Sequence, residues 1–279
     1  MKIELAQLEV LDGNITENIA NTRKIIENCN QNTSLILFPE CNLTGFPSKE
    51  NIAQLAQPLD GPAVSLIHQS VKEKGVAVTI GTTEIKDGRY FNTTVFLSPD
   101  GCRYAYRKTH LWPDEWGIVE AGNQLTCFEW NGIKIGLLIC YDIEFPETAR
   151  ALADMGVDLI LITDGNMDPY GYVHRNAISA RAMENQIFAA MTNRCGKGDG
   201  LTFAGESMVI NPYGLAIGSC GKSEERIVVD LDFSLIKESR ALYCYKNDRR
   251  INITGEFSPS TNKETLFTIP NIKKSSERN

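Results

Sequence analysis

The sequence lacks the features that mark membrane, secreted and nucleic-acid-binding proteins. Its composition is not unusually apolar, with 42% hydrophobic and 23% charged residues among 279, which is ordinary for a soluble protein. The amino-terminal MKIELAQLEV carries Lys2 and Glu4, so it has no apolar core for a signal peptide. Basic residues are in deficit, 28 Lys and Arg against 35 Asp and Glu, and no basic cluster offsets the formal charge of −7. We therefore expect a cytoplasmic protein with no membrane span and no nucleic-acid partner.

Paired cysteines, linkers and repeats are also missing. Eight cysteines are scattered without a CxxC pair, so neither a disulfide framework nor a zinc site is indicated, and reduced thiols are expected. They stand at positions 29, 41, 102, 127, 140, 195, 220 and 244. No stretch rich in Pro, Gly or Ser divides the chain, and no repeat of solenoid period is visible. A chain of this length can bury a full core, so we predict a single domain.

Short apolar runs alternate with amphipathic segments, which is typical of α/β layering. Strands are predicted at 3–10, 34–38, 76–81, 91–98, 103–107, 133–139, 157–163, 187–192, 202–210 and 226–230. Helices are predicted at 14–30, 61–74, from 146 onward, at 170–186 and, as a short helix, beyond 232. The turn signal Pro99-Asp100-Gly101 predicts a hairpin and so a mixed sheet, and the turn at 211–214 is predicted to join the last two strands. The polar segment 273–279 is predicted to be disordered.

The stretch Ile133–Glu147, IKIGLLICYDIEFPE, is the one around which the chain is organised. It begins as an apolar run of strand length, too continuous for a half-exposed strand and therefore buried on both faces. Cys140 ends this run, and Pro146 then opens a segment of helical composition. A thiol at a bend between strand and helix lies near free backbone N–H groups, which is the geometry that a catalytic nucleophile needs.

Two other predicted strands end in charged residues. Glu40 follows LILFP, and Lys108 follows the second strand of the hairpin. Taken alone, each of the three residues has an ordinary explanation. Cys140 would be a buried structural cysteine, Glu40 a carboxylate that caps a loop and Lys108 a solvated lysine.

Taken together, LILFPE, YRKTHLW and LLICYDIEFPE resemble the nitrilase or carbon–nitrogen hydrolase superfamily, from the first strand to about residue 250. The resemblance implies that Glu40 is the general base, Lys108 the catalytic lysine and Cys140 the nucleophile. Glu115, in LWPDEWGIVEAGN, matches the second carboxylate of many members, although Asp114 and Glu120 lie nearby. Where the family usually has Pro-Gly, this chain has Ala-Gly at 121–122, a change that touches loop conformation and no chemistry.

The same resemblance implies the fold and the assembly. The expected architecture is a single-domain α-β-β-α sandwich with mixed sheets, formed by residues 1–250, with 251–279 as a carboxyl-terminal extension and tail. The family pairs through its outer helices, so a homodimer or higher homo-oligomer is expected, with 166–190 contributing both pocket loop and interface helix. No metal and no organic cofactor is expected.

Amide hydrolysis needs a strong nucleophile, a stabiliser for the oxyanion and a group that moves protons. In the implied mechanism Glu40 deprotonates Cys140, and the resulting attack on the amide forms a thioester. Lys108 and the backbone N–H of Tyr141 would face the oxyanion, and water would then release the acid with Glu40 again as base. Glu115 would orient Lys108 or the water.

Three alternatives remain open at this point. A Cys–His thiol hydrolase would use His110 or His174, but Cys140 lacks the local sequence of a papain-like nucleophile. A non-catalytic binding module of the same fold would be expected to lack a triad residue. A nitrilase or an N-carbamoyl amine amidohydrolase shares the triad, so the triad does not separate these activities from an amidase.

Within the superfamily the match is best to bacterial amidases of the 5-aminopentanamidase and R-stereoselective amidase types, through phrases such as NMDPYG and RAMEN. Four residues beyond the nucleophile, Glu144 stands where members acting on carboxylate-bearing amides carry Arg. We predict that Glu144, with Asp168 and Asn166 nearby, favours an acyl chain that bears an amine. The competing interpretation is that Glu144 pairs with a surface cation such as Arg150.

Overall fold

The computed structural model describes residues 1–249, 256–259 and 264–268. Its strands, in chain order, are β1 (Lys2–Gln7), β2 (Leu35–Leu37), β3 (Ala77–Lys86), β4 (Arg89–Leu97), β5 (Arg103–Arg107), β6 (Gln124–Trp130), β7 (Ile133–Ile139), β8 (Leu159–Asp164), β9 (Phe188–Asn193), β10 (Cys195–Gly198), β11 (Leu201–Ala204), β12 (Met208–Ile210), β13 (Ala216–Ser219), β14 (Glu225–Asp230), β15 (Glu256–Pro259) and β16 (Glu264–Thr268). Its helices are α1 (Ile15–Glu27), α2 (Ile52–Leu55), α3 (Pro62–Lys74), α4 (Pro146–Asp154), α5 (Gly171–Asn185), α6 (Ser234–Ser239) and α7 (Tyr245–Asp248). Short 3-10 turns cover Pro113–Glu115 and Cys140–Glu144.

The first sheet contains six strands in the order β14-β1-β2-β3-β4-β5. β1, β2 and β3 are parallel to one another and the other neighbours are antiparallel. Side chains alternate along β2: Leu35 and Leu37 join the core between the sheets, whereas Ile36 packs with Ile26 of α1 and Ile67 of α3 in a separate cluster. The two helices therefore cover the outer face of this sheet.

The second sheet contains eight strands in the order β13-β12-β9-β8-β7-β6-β16-β15. β7, β8 and β9 are parallel and run through the centre of the sheet. Helices α4 and α5 contribute Leu152 and Ile178 to the same core cluster as these strands. Gly136 of β7 permits this packing, because a Cβ there would lie 3.0 Å from the methyl groups of Leu152.

The inner faces of the two sheets pack against each other. Phe96 of β4 meets Phe128 of β6 with ring centroids 4.6 Å apart, and Tyr104 of β5 stacks on the same ring at 4.1 Å. Nearer the site, the hydroxyls of Thr94 and Thr163 are 2.5 Å apart across the interface. The fold is thus a single-domain α/β structure with mixed sheets in four layers, α-β-β-α, as the family resemblance implies.

The strand predicted at 202–210 is wrong in extent and in pairing. It is two strands, β11 and β12, because Gly205 and Glu206 both have positive φ, of 63° and 58°, which interrupts extended backbone. Across the turn that follows, β12 pairs with β13 rather than with 226–230. Those residues form β14, which pairs with β1 in the first sheet. β6 lies where no strand was predicted, although Gly122-Asn123 before it and Asn131-Gly132 after it are turn signals that bound a strand.

The hairpin predicted at Pro99-Asp100-Gly101 is confirmed: β4 and β5 pair antiparallel, and Gly101 has a φ of 94°. Among the described residues, no helix is both long and apolar enough to cross a lipid bilayer. The segment 273–279, predicted to be disordered, lies outside the described residues. Within the predicted extension 251–279, β16 pairs with β6 and β15 pairs with β16 at the edge of the second sheet.

Candidate active site

Strand ends from both sheets bring the predicted catalytic residues together. Glu40 follows β2, Lys108 follows β5 and Cys140 follows β7. Their exposed fractions are only 1%, 2% and 9%. The backbone N–H of Glu40 donates to the carbonyl of Asp164, at the end of β8, over 3.1 Å. This bond joins the two sheets at the edge where the three side chains meet.

Lys108 lies between two carboxylates. Its Nζ donates to Glu40 Oε1 over 2.8 Å and pairs with Glu115 Oε2 over 2.7 Å. The amide of Asn92 donates to Oε1 of both glutamates, at 2.7 and 2.8 Å, and the backbone N–H of Trp112 donates to Glu115 Oε2 at 2.8 Å. Such a network fixes every member, because each group is held by at least two others.

The structure distinguishes Glu115 from the two acids beside it in sequence. Asp114 lines the outer part of the cavity described below and is exposed. Glu120 pairs with Arg89 over 3.3 Å on the surface. Only Glu115, of these three, contacts Lys108 in the described part of the chain.

Burial and charge set the protonation of this network. Burial raises the pKa of Glu40, and Lys108 opposes that shift. For Lys108, burial alone would lower the pKa, but the carboxylates of Glu115 and Glu40 outweigh it and hold the pKa above its ordinary value. Lys108 is therefore a permanent cation at neutral pH, and Glu40 is a carboxylate with an increased tendency to accept a proton.

Cys140 occupies a strained bend. Its φ of 44° is a left-handed conformation that few residues other than glycine adopt, and it begins the 3-10 turn after β7. Burial, followed by the charge of Glu40, raises the pKa of the Cys140 thiol well above its ordinary value, although Lys108 opposes the shift. The thiol is therefore protonated at rest, and it needs a base to become a nucleophile.

One oxygen of Glu40 is placed to be that base. Oε1 is occupied by Lys108 and Asn92, whereas the buried Oε2 has no hydrogen-bond partner among the described residues. Oε2 lies beside Gly165, where a Cβ would be only 2.5 Å from it. The backbone N–H of Gly165 donates to Asp164 Oδ1 over 3.0 Å, and Gly165, Glu40 and Cys140 all line one cavity. The open oxygen and the thiol therefore share the same small space.

Asp142 holds the lysine and cysteine segments together. Its Oδ2 accepts from the Tyr106 hydroxyl at 2.7 Å and from the backbone N–H of Ile139 at 3.1 Å. Its Oδ1 accepts from the hydroxyl of Thr109 at 2.8 Å and the backbone N–H of His110 at 2.9 Å. Four donors on one fully buried carboxylate tie the end of β5 to the end of β7.

A cavity of about 300 Å³ opens above Cys140. Its walls are largely aromatic and aliphatic, with Trp112 packed edge-on to Tyr141 at 5.2 Å and tilted against Tyr170 at 6.0 Å. Acidic side chains outnumber basic ones in its lining, since Glu144, Asp114 and Asp199 join Glu40 and Glu115, and the only described basic residues there are Lys108 and His174. A small substrate with apolar and cationic parts fits this lining.

Glu144 lines the cavity and is partly exposed, and its ion-pair partner is His174 rather than Arg150. Its Oε1 lies 3.2 Å from Nε2 of His174, whose Nδ1 lies 3.0 Å from both oxygens of Asp164. Although burial lowers the pKa of His174, the two carboxylates raise it to about 9. An imidazolium with both nitrogens bonded to carboxylates does not act as a base at neutral pH, which argues against a Cys140–His174 dyad.

The other predicted site residues are placed as follows. Tyr141 and Asn166 line the cavity, and the Asn166 amide donates to the carbonyl of Tyr170 over 3.0 Å. Asp168 was predicted to add negative charge beside Glu144, but this is wrong: it is 42% exposed, outside the cavity lining, and its carboxylate pairs with Lys222 over 3.5 Å. The loop preceding α5 turns it outward.

Sequence reasoning missed Asn92, Asp142 and Asp164. Each is a polar residue in or directly after an apolar strand, as FNTT, ICYD and LITD, and each is at most 3% exposed. A buried polar group is costly unless it is hydrogen-bonded, so this placement was a usable signal. His174 was considered only as a base.

The family profile described as carbon-nitrogen hydrolase matches residues 2–241. The chain therefore belongs to the carbon–nitrogen hydrolase family, and it is a hydrolase that acts on non-peptide carbon–nitrogen bonds. Among curated relatives, an (R)-stereoselective amidase from Pseudomonas sp. is 48% identical over 270 residues, covering 96% of this chain and 98% of that protein. The 2-oxoglutaramate amidase of Bacillus subtilis is 30% identical, covering 85% and 93%.

Solved structures give the same family. A CN-hydrolase superfamily protein from Xanthomonas campestris, with an arsenic adduct in its active site, superposes with a TM-score of 0.85 at 28% identity, covering 91% of this chain and 99% of that one. A mutant amidase from Nesterenkonia sp. AN1 has a TM-score of 0.78 at 28% identity, covering 87% and 94%, and carries the acetamide moiety of fluoroacetamide on its active-site cysteine. The predicted family and nitrilase-like fold are confirmed.

Proposed function

We propose that the protein is an amidase that hydrolyses a small linear amide to a carboxylic acid and ammonia through a thioester on Cys140. The observation that carries the proposal is the open Oε2 of Glu40 beside the thiol, with Lys108 fixed between two carboxylates at the same point. The similarity to an (R)-stereoselective amidase and the cysteine adduct of the Nesterenkonia amidase support it.

In the first half-reaction Glu40 takes the proton of Cys140 as the sulfur attacks the amide carbon. The oxyanion that forms is stabilised by Nζ of Lys108 and by the backbone N–H of Tyr141, in a site from which water is largely excluded. Glu40 then gives its proton to the departing nitrogen. The carbon–nitrogen bond breaks, ammonia leaves and the acyl group remains on sulfur.

In the second half-reaction a water molecule replaces ammonia. Glu40 removes one of its protons, the hydroxide oxygen attacks the thioester, and the same donors stabilise the second oxyanion. The carbon–sulfur bond breaks, the thiol of Cys140 is restored and the acid leaves. Glu115 and Asn92 hold Lys108 and Glu40 in position throughout, and no metal or organic cofactor is required.

The acidic lining supports an acyl chain that bears an amine. An ammonium group extending from the scissile amide toward Glu144 would find a carboxylate, whereas a substrate carboxylate would be repelled. The cavity lining offers no arginine among the described residues for a bidentate pair with a substrate acid. We therefore place 5-aminopentanamide and amino-acid amides ahead of amides of dicarboxylic acids.

We also propose a homodimer formed through the outer face of α5. Met183 of α5, Tyr213 and Leu215 are 44%, 43% and 63% exposed, and a Cβ at Gly214 would lie 2.9 Å from Met183, so they form one apolar patch.

Eight free cysteines agree with the reducing cytoplasm proposed from the sequence.

Two experiments test the activity. Ammonia release from a panel of linear amides, nitriles and N-carbamoyl amines should be greatest with amides, and a faster nitrile or carbamoyl substrate would favour the alternatives that share the triad. A slow amide substrate should leave an acyl adduct on Cys140, detected as a mass increase of the intact protein and located by peptide mapping. Cys140→Ser serves as the control. An adduct on another cysteine would assign the role of nucleophile to that residue instead.

A further inference from the structure

Three buried side chains with different donor atoms meet beside the cavity. One ligand atom each from Cys140, Asp164 and His174 lies within 4.8 Å of the others. The exposed fractions are 9%, 0% and 3%. The proposed mechanism routes no proton or bond change through the side chains of Asp164 and His174, which form a buried charged pair at 3.0 Å.

Sulfur, imidazole nitrogen and carboxylate oxygen are the ligands that Zn²⁺ takes in proteins. With zinc–sulfur bonds of about 2.3 Å and zinc–nitrogen bonds of about 2.0 Å, tetrahedral ligand atoms lie about 3.3–3.6 Å apart. The His174–Asp164 separation of 3.0 Å is already close to this value, and an inward movement of at most about 1.5 Å completes the set.

The histidine has the surroundings of a metal ligand. Metal-bound histidines usually donate their second ring N–H to a carboxylate, which fixes the orientation of the ring. Here Nδ1 faces Asp164 and Nε2 faces Glu144. Whichever nitrogen binds the metal, the other keeps a carboxylate partner.

The site is also reachable and open on one side. Cys140, His174 and Glu144 line the cavity of about 300 Å³, which has room for a metal ion and its waters, whereas the fully buried Asp164 is outside this lining and contacts His174 over 3.0 Å. Three protein ligands leave the fourth tetrahedral position to water, or to Glu144. The acidic lining attracts divalent cations from solution.

We propose that Cys140, Asp164 and His174 form a binding site for Zn²⁺ that reversibly blocks the enzyme by occupying the nucleophilic sulfur. Binding replaces the thiol proton of Cys140 and the proton on the coordinating nitrogen of His174, both of which pass to solvent, and no electron is transferred. Zinc and the acyl group compete for one sulfur. The blocked activity depends on the proposed function, whereas metal binding itself does not.

Metal binding is tested without turnover. The metal-free wild-type protein should bind one Co²⁺ per chain and develop the thiolate-to-metal charge-transfer absorption, which Zn²⁺ should displace. Cys140→Ser should lose this absorption, and His174→Gln and Asp164→Asn should weaken metal affinity by at least about 100-fold. Cys102→Ser is the matched control, because Cys102 and Asp100 form a cysteine–aspartate contact at 3.7 Å on the surface, outside the cavity lining.

Inhibition provides the second measurement. Zn²⁺ should inhibit the wild-type enzyme reversibly, with activity restored by EDTA, and should protect Cys140 from iodoacetamide. Equal inhibition of the wild type, His174→Gln and Asp164→Asn would mean that the thiol alone binds zinc and would overturn the site. If the variants do not fold, X-ray absorption at the zinc edge of the wild-type complex decides: one sulfur with nitrogen and oxygen ligands is expected, and any other set contradicts the proposal.

Discussion

At the scale of single residues, the proposed mechanism gives two glutamates different tasks around one lysine. Glu115 and Glu40 both contact Lys108, but only Glu40 has an oxygen left open beside Cys140. Glu115 is occupied at both oxygens, by Lys108, Asn92 and the backbone of Trp112. In the proposed mechanism the position of each glutamate, not its residue type, makes Glu40 the base and Glu115 the supporting carboxylate.

Loss of any member of the triad should stop catalysis. We expect Glu40→Gln, Lys108→Ala and Cys140→Ser each to lower kcat/KM by at least about 1000-fold, and pairs of these changes to cost no more than single ones, because the residues act as a unit. Steady-state kinetics with far-UV circular dichroism as a folding check makes the measurement. Glu120→Gln, a surface carboxylate of the same loop paired with Arg89, is the control. Turnover like that of the wild type in any triad variant would contradict the mechanism.

Glu144 should set the preference for charge in the substrate. In Glu144→Gln we expect kcat/KM for 5-aminopentanamide to fall about tenfold, the size of one charge-assisted hydrogen bond, because the ammonium loses its carboxylate. The value for neutral pentanamide should change little. Both substrates and glutaramate are compared in the wild type and the variant.

Because Glu144 also contacts His174, the variant His174→Gln shows how much of any effect comes from the imidazolium. Equal wild-type values for 5-aminopentanamide and glutaramate would refute the amine preference. So would an unchanged ratio in Glu144→Gln.

The residue scale also shows what the sequence could predict about the site. Glu40, Lys108 and Cys140 stood out because each follows a predicted strand, and the resemblance of LILFPE, YRKTHLW and LLICYDIEFPE to the carbon–nitrogen hydrolase family implied their roles. The partner of Glu144 could not be found in this way, since His174 lies 30 positions away on α5 and only the packing of α5 on the second sheet brings them to 3.2 Å. Asp168 was misplaced because a loop side chain has no periodicity to orient it.

At the scale of elements, the hydrogen bonds of Asp142 connect the end of β5 to the end of β7. Its carboxylate accepts from Tyr106, Thr109 and His110 on one side and Ile139 on the other, so the separation of Lys108 and Cys140 depends on it. Lys108 and Cys140 both stand just beyond the ends of their strands, and Asp142 adds side-chain hydrogen bonds at the point where these strands end.

Weakening the hydrogen bonds of Asp142 should lower both the free energy of unfolding and the catalytic rate. Asp142→Asn keeps the shape but turns an NH₂ group toward donors, so we expect about 2–3 kcal/mol lower free energy of unfolding. We also expect at least a tenfold lower kcat with KM little changed, because Lys108 and Cys140 lose their spacing. Urea unfolding and kinetics measure the two effects.

Asp158→Asn is the matched control, since Asp158 accepts from the backbone of Lys134 at the opposite end of β7. It should cost less stability and leave kcat unchanged. A full rate in Asp142→Asn would show that the sheets alone hold the two residues in place.

Element prediction succeeded where the pattern was local and failed where it was not. The β4–β5 hairpin was readable because its turn residues and both strands lie within 20 positions. The crossing of β14 to β1 was not, because 226–230 follow a turn and a strand that suggested a local pairing. The break at Gly205 and Glu206 depends on two positive φ angles. A glutamate in a sequence does not indicate a positive φ, because residues other than glycine rarely adopt it.

At the scale of the whole molecule, the four layers of the described residues place helices on both outer faces, where the proposed dimer would form. The inner sheet faces are buried against each other, and α1 and α3 present a polar surface with isolated apolar residues such as Leu66, which is 39% exposed. The outer side of α5 differs, because Met183, Tyr213 and Leu215 lie together there. Scattered apolar residues are normal on a protein surface, whereas a contiguous patch marks an interface.

The dimer is testable by placing charge in that patch. We expect the wild-type protein to sediment as a dimer and Met183→Glu and Leu215→Glu to sediment as monomers, because each removes an apolar side chain worth about 1.5–3 kcal/mol of burial and sets like charges against each other across a twofold axis. Sedimentation velocity over a range of concentrations makes the measurement. Leu66→Glu, an equivalent change on the opposite outer layer, should remain dimeric, so a general effect of added charge is separated from a local one. A monomeric wild type, or dimers in both patch variants with dissociation only in Leu66→Glu, would move the interface away from α5.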